Sequence, residues 1–233
     1  MKQTLILATR NAHKVEEIKS ILGPGWDVRS LADYPAAPEV VEDAATFAGN
    51  ASKKAVSLAR WLSPQWSNLA KNGDEIWVLA DDSGLEVDAL NGAPGVYSAR
   101  FSGLDTGVPG NSSTQANNEK LLRLLTNVPS EKRSGRFRCV LALVPVAPES
   151  QLSASPVCYS DEAELMIELF DGACEGRVGF EPKGAGGFGY DPLFYPKGHE
   201  QSFAQLGEAV KNEISHRARA LLKLKAWNST RTR

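Results

Sequence analysis

Glu75-Ile76-Trp77-Val78-Leu79 has the composition of a buried β-strand. Its apolar character stops abruptly at Ala80-Asp81-Asp82-Ser83-Gly84-Leu85. No other stretch restricts the chain as tightly. Strand ends in α/β sheets are where ligands bind. Two adjacent carboxylates there cannot both ionise comfortably without a cation or a proton between them. Mg²⁺ suits such a place, because it takes hard oxygens and is usually held by one or two carboxylates plus substrate phosphates. A strand running into an Asp-Ser-Gly turn explains the same residues without a ligand. The rest of the chain decides between the two.

Thr4-Leu5-Ile6-Leu7-Ala8 reads as a short buried strand. Thr9-Arg10-Asn11-Ala12-His13-Lys14 follows, and Val15, Ile18, Ile21 and Leu22 then recur at helical spacing up to Gly23-Pro24-Gly25. This is strand, polar loop, helix. The helix start offers free N–H groups and partial positive charge to an anion, with Thr9 and Asn11 as donors and Lys14 as a full charge. The glycines of a P-loop are missing, and an ordinary β-to-α connection with an Asn cap fits equally well. Residues 31 to 42 read as loop, closed by Glu42 and Asp43. The stripe Phe47, Ala51, Ala55, Leu58, Leu62 predicts a helix, with Lys53 and Lys54 off the stripe and, in the ordinary case, solvated.

Residues 63 to 74 read as a surface connection, and Leu85 to Leu90 alternates like a second strand. A glycine-punctuated loop over 92 to 101 and a flexible span over 103 to 113 precede helical spacing at Leu121, Leu122 and Leu125. Phe137 to Val144 and Leu165 to Phe170 read as strands, most simply antiparallel, around a Ser- and Pro-rich hairpin or insertion at 147 to 160. Gly184-Ala185-Gly186-Gly187-Phe188-Gly189-Tyr190-Asp191-Pro192 allows close backbone approach to a ligand. Phe188 and Tyr190 are candidates to stack on a base, with Asp191 to read its donors; a flexible aromatic turn is the plain alternative. Glu213 to Trp227 reads as one helix, with Lys211, His216 and Arg217 clustered near its start.

Together these pieces are the parts of a nucleoside triphosphate site: carboxylates for Mg²⁺, cations for a polyphosphate, and an aromatic loop for a base. A net charge of −2 over 233 residues, with no basic tail, argues against a protein that wraps long nucleic acid. No run of about 18 apolar residues suggests a membrane span, and no signal peptide is read at the N-terminus. Cys139, Cys158 and Cys174 show no Cys-x-x-Cys spacing, so free thiols in the cytoplasm are expected. The chain reads as one domain over 1–233, with no internal repeat or linker.

The segments Ala8 to Glu17, Asn50 to Ala55, Ala80 to Asp88, Gly92 to Arg100, Gly186 to Pro192 and Lys211 to Arg217 occur in an order that resembles the inosine/xanthosine triphosphate pyrophosphatases. The resemblance covers residues 4 to about 225 and is specific in combination. It implies Mg²⁺-dependent hydrolysis of ITP, dITP and XTP to the monophosphate and pyrophosphate, which keeps non-standard purines out of DNA and RNA. It also implies an α/β fold with a long twisted mixed sheet, flanking helices and two lobes around a central cleft, usually as a homodimer.

Carried onto matching positions, Asp82 is the catalytic aspartate and a metal ligand, and Glu42 an acidic metal-site position. With Asp81 they make the expected metal set. Ser83 is a substrate contact. Thr9, Arg10, Asn11, Ala12, His13, Lys14 and Lys54 fall on the phosphate side. Phe188, Gly189, Tyr190, Asp191, Lys211, His216 and Arg217 fall on the base and nucleotide side. Three departures stand out: the segments at 63 to 74 and 147 to 160 are longer than usual, which bears on the surface and dimer contacts, and two single positions differ. Arg10 replaces the usual glycine, and Gly49 stands where many members carry glutamate, so a carboxylate near the metal is expected to be missing. A related septum-inhibitor-type nucleotide pyrophosphatase and a nucleotide-binding regulator without turnover are the alternatives. Gly186 to Asp191 and Ser215-His216-Arg217 count against the first. Asp81, Asp82, Lys14 and Lys54 count against the second.

Overall fold

The structure is a computed structural model that describes residues 3–70, 74–107, 109–148 and 166–231. Strand β1 (Gln3–Leu7) leads into helix α1 (Ala12–Leu22), then β2 (Asp27–Ser30) and α2 (Phe47–Leu62). A 3-10 turn and the one-turn α3 (Trp66–Leu69) precede β3 (Glu75–Val87). Two further 3-10 turns, the one-turn α4 (Gly103–Thr106) and α5 (Thr114–Leu124) lead to β4 (Ser134–Pro145). The chain continues through β5 (Glu168–Val178), β6 (Phe194–Pro196), α6 (Phe203–Ile214) and α7 (His216–Arg231). The six strands form one sheet in the order β2-β1-β3-β4-β5-β6. β1 pairs parallel with both β2 and β3, and β5 pairs antiparallel with β6, so the sheet is mixed. Among the described residues no helix is long and apolar enough to cross a membrane.

The chain divides into two compact units, residues 1–82 with 140–170, and residues 83–139 with 171–233. Each has its own core. In the first unit, the apolar stripe of α2 (Ala51, Ala55, Leu58, Leu62) packs on Ile6, Val78, Ala142 and Val144 from β1, β3 and β4. In the second, Leu121 and Leu125 pack with Leu85, Phe137, Leu193, Phe194 and Phe203. Each fully buried side chain of this size contributes about 1.5–3 kcal/mol.

Three expectations are corrected. The strand does not end at Ala80: β3 runs on through Asp81, Asp82, Ser83 and Gly84 to Val87, absorbing the separate strand read at 85–90. Polar residues can continue a buried strand when their side chains are paired, and both aspartates are. The single helix over 213–227 is two helices. Ser215 is extended (φ −67°, ψ 162°) between them, and its Oγ accepts from Ala218 N at 3.2 Å, capping α7. The apolar positions continue at helical spacing across that break, which hid it. The span at 103 to 113 begins with the one-turn α4. Of the insertion read at 147 to 160, residues 149 onward lie outside the described residues.

Candidate active site

The first unit gathers lysines and carboxylates. After β1 the chain turns sharply: Thr9 Oγ1 accepts from Asn11 N at 3.1 Å, and Asn11 Oδ1 accepts from Lys14 N at 3.2 Å as the N-cap of α1. These oxygens therefore build the turn, while Arg10, Asn11, Ala12 and His13 are exposed around the helix start. Arg10 donates from a guanidinium nitrogen to Ala37 O at 3.0 Å, tying this turn to the loop that leads to Glu42. Lys14 forms an ion pair with Asp81.

Successive side chains of a strand leave on opposite faces, and each aspartate meets its own lysine. Lys14 takes Asp81. Lys54 reaches Asp82 Oδ1 at 3.3 Å, Glu42 Oε2 at 3.0 Å and the Asp81 carbonyl at 2.8 Å. Lys54 is thus largely buried and paired rather than solvated, whereas Lys53 pairs with Asp43 at the surface. Asp82 is 6% exposed, and Asn50 Nδ2 donates to its Oδ2 at 3.1 Å. Burial pushes the Asp82 carboxyl up to about 6; Lys54 and Lys14 oppose the rise and Glu42 adds to it. Burial also acts to raise Glu42, but the charge and hydrogen bond of Lys54 hold it below the usual carboxylate range. Burial acts to lower Lys54, and Asp82, Glu42 and Asp81 together raise it instead.

Asn50 was not among the residues singled out from the sequence. Its signal was an amide beside Phe47 and Ala51 on an otherwise apolar helix face. Its Oδ1 accepts from Ala44 N at 2.9 Å, so it also holds the loop that carries Glu42. Gly49 fits the same turn, since a Cβ there would lie 2.8 Å from Ala44 Cβ and 3.1 Å from Thr46 Oγ1. Among the described residues, no three of His, Cys, Asp and Glu are close enough to hold a metal by themselves. The three-carboxylate set of Asp81, Asp82 and Glu42 is therefore not preassembled. The pair joined through Lys54, Glu42 and Asp82, supplies hard oxygens of the kind Mg²⁺ takes, and fits an ion that draws its remaining ligands from phosphate and water.

The second unit gathers an aromatic ring and cations. Phe188 N donates to Asp191 Oδ2 at 2.8 Å, and Lys211 Nζ reaches the same oxygen at 2.5 Å. A Cβ on Gly187, whose φ is +71°, would lie 2.2 Å from that oxygen, so the turn requires glycine. Lys211 Nζ also sits 4.3 Å from the centroid of the half-buried Phe188 ring, and the Arg217 guanidinium 5.9 Å from it. Arg217 is 1% exposed and donates to Ser83 Oγ at 3.0 Å.

Here too the structure corrects expectations. Tyr190 is not open to stack on a base. It is 4% exposed, its hydroxyl donates to Ser98 O at 2.8 Å, and burial raises its phenol. Asp191 is closed as well, locking the turn and neutralising Lys211. His216 is buried with its ring stacked on Phe137 at 4.8 Å. Lys211 belongs to the last turn of α6, while His216 and Arg217 open α7, so the three do not share a helix start. Phe188 remains the aromatic surface, flanked by Lys211 and Arg217.

The chain has clear relatives among known proteins. The sequence model of the Ham1 family matches residues 5–227. The chain is 46% identical over 220 residues to the dITP/XTP pyrophosphatase of Desulforamulus reducens, covering 94% of this chain and 92% of that protein. It is 42% identical over 221 residues to that of Shouchella clausii, covering 95% and 94%. Among solved structures, the Ham1 protein of Staphylococcus aureus superimposes with a TM-score of 0.73 at 32% identity, over 98% of this chain and all of that one. The nucleoside-triphosphatase / dITP/XTP pyrophosphatase of Mycobacterium abscessus gives 0.62 at 35% identity, over 95% and 98%. With the six-stranded mixed sheet and the lysine–carboxylate group in place, the conclusion is direct: this chain belongs to the Ham1 family.

Proposed function

We propose that the protein is a Mg²⁺-dependent dITP/XTP pyrophosphatase, which cleaves non-standard purine nucleoside triphosphates to the monophosphate and pyrophosphate. The observation that carries this reading is Asp82, a buried carboxyl held between Asn50 and Lys54 and beside Glu42 through that lysine. A carboxylate so placed can orient the attacking water and take its proton. Asp82 accepts the proton of the water that attacks the α-phosphorus. Lys14 and Lys54 face the negative charge that develops on the phosphate oxygens and the leaving pyrophosphate. Asp82 and Glu42 would hold Mg²⁺, which when bound adds positive charge to the polyphosphate. The names of the relatives support the substrate class.

Phe188 gives the base a flat surface, and the positive field of the Arg217 guanidinium buried beside that ring favours a 6-keto purine, which presents an acceptor where adenine presents a donor. The enzyme acts in the cytoplasm as a homodimer and keeps deaminated purines out of nucleic acid. The test is pyrophosphate release from a panel of nucleoside triphosphates with Mg²⁺ and with EDTA. dITP and XTP are expected to be turned over well above dATP and dGTP, with no turnover in EDTA. Formation of the nucleoside diphosphate would overturn the reading.

A further inference from the structure

Several ties fix the turn that carries Phe188. Two are internal: Phe188 N to Asp191 Oδ2 at 2.8 Å, and Asp191 N to Phe188 O at 3.3 Å. Others come from outside it: Lys211 Nζ reaches Asp191 Oδ2 at 2.5 Å, and Ala204 N donates to Asp191 O at 3.3 Å. Tyr190 donates to Ser98 O at 2.8 Å, and Asn118 Nδ2 on α5 donates to Gly189 O at 3.2 Å. Gly189 has φ +61° and nothing within 4 Å of where a Cβ would be. No side chain there would hold it by packing, and glycine itself permits either sign of φ. The Asn118 amide is the external hydrogen bond that fixes the Gly189 carbonyl, one residue from the Phe188 ring.

The same face of α5 grips the turn on which Tyr190 rests. Asn117 Oδ1 accepts from Ser102 N at 2.8 Å, its Nδ2 donates to Ala99 O at 3.2 Å, and Lys120 Nζ donates to Phe101 O at 2.7 Å. Asn118 differs from these neighbours in one respect. It is 8% exposed, and its Oδ1 is buried with no hydrogen-bond partner among the described residues. A half-satisfied buried amide is a liability to folding, and an apolar side chain of the same shape would avoid the cost. What the amide supplies in return is the donor to Gly189.

We propose that Asn118 is a positioning residue for base selection: by holding the Gly189 carbonyl it fixes the Phe188 ring against Lys211 and Arg217. The inference rests on the nucleotide reading above and names what sets its selectivity. The Asn118 side chain donates to the Gly189 carbonyl beside Phe188, so its loss is expected to act on base binding.

The experiment compares wild type with Asn118→Asp, which keeps the volume and the acceptor but removes the donor, and with Asn118→Leu, which removes both. Steady-state kinetics with dITP and dATP are measured alongside competitive inhibition by inorganic triphosphate, which carries no base. Both variants are expected to raise KM for dITP about tenfold and to narrow the dITP/dATP ratio. kcat and the inhibition constant for inorganic triphosphate are expected to stay within about twofold of wild type. A parallel rise in that inhibition constant, or an unchanged KM and ratio, would overturn the proposal. If neither variant folds, Tyr190→Phe removes another external tie, the bond to Ser98 O, and is expected to give the same split; an unchanged KM there overturns the proposal too. Wild-type protein that does not turn over dITP overturns the nucleotide reading and the inference with it. Wild-type turnover with indistinguishable variants overturns the inference alone.

Discussion

Replacing Asp82 with asparagine is expected to raise the stability of the metal-free protein while removing its activity. The Asp82 carboxyl rises from 3.8 to about 6 on folding, chiefly through burial. A rise of that size means the ionised form is disfavoured in the fold by ~3 kcal/mol relative to the protonated form. The folded state therefore binds the proton more tightly than the unfolded chain. Above pH 6 the full penalty is present; it is relieved as pH falls from 6 towards 4, where both states are protonated. The asparagine side chain has no charge to bury, keeps an oxygen for the Asn50 amide, and leaves Lys54 with Glu42 and the Asp81 carbonyl. At pH 8 in EDTA the variant is expected to melt above wild type by several degrees, with about 6–12 °C as the upper bound for ~3 kcal/mol in a chain of this size. At pH 4.5 most of the difference should be gone. With Mg²⁺ and a nucleotide present, the variant should lose part of the ligand-induced stabilisation, and turnover should fall by at least roughly 10²–10⁴-fold. Scanning calorimetry at the two pH values checks the first part. A variant that melts below wild type at pH 8, or by a margin that does not change with pH, would refute the reasoning.

Lys54→Ala should lower turnover of every nucleotide alike, whereas Arg217→Ala should narrow the ratio of ITP to ATP hydrolysis, because Arg217 lies beside the Phe188 ring; parallel kinetics on both nucleotides check this. Asp191→Ala leaves the buried Lys211 without its carboxylate and should cost ~3–5 kcal/mol in urea unfolding, far beyond the roughly 0.5 kcal/mol of an exposed base-reading residue. Ser215→Ala removes the cap of α7 and should cost ~1 kcal/mol, lowering the melting temperature by roughly 2–4 °C.

What could be read from the sequence depended on whether a residue's partner lay nearby in the pattern. The apolar stripe of α2 was legible because its period is helical, and Asp81-Asp82 because carboxylates inside an apolar run are chemically out of place. That Lys54 would be buried was hidden, since a lysine beside a stripe is usually solvated; Glu42 and Asp82, twelve residues before it and twenty-eight after it, decide the matter. Tyr190 was misassigned because an aromatic among glycines carries no mark of which way its hydroxyl goes, and its acceptor, Ser98 O, is ninety-two residues away. Ser215 could have been recognised as a cap, but the apolar positions on either side keep helical spacing through it. The Ser202–Gln205 capping box that starts α6 was also legible and went unread.

The central claim is attack by water at the α-phosphorus, with Asp82 as its base. Hydrolysis of dITP in oxygen-18 water, followed by mass spectrometry of both products, tests it most directly. The label is expected in dIMP, with unlabelled pyrophosphate. Label in pyrophosphate, with unlabelled dIMP, would place the attack on the β-phosphorus and contradict the account.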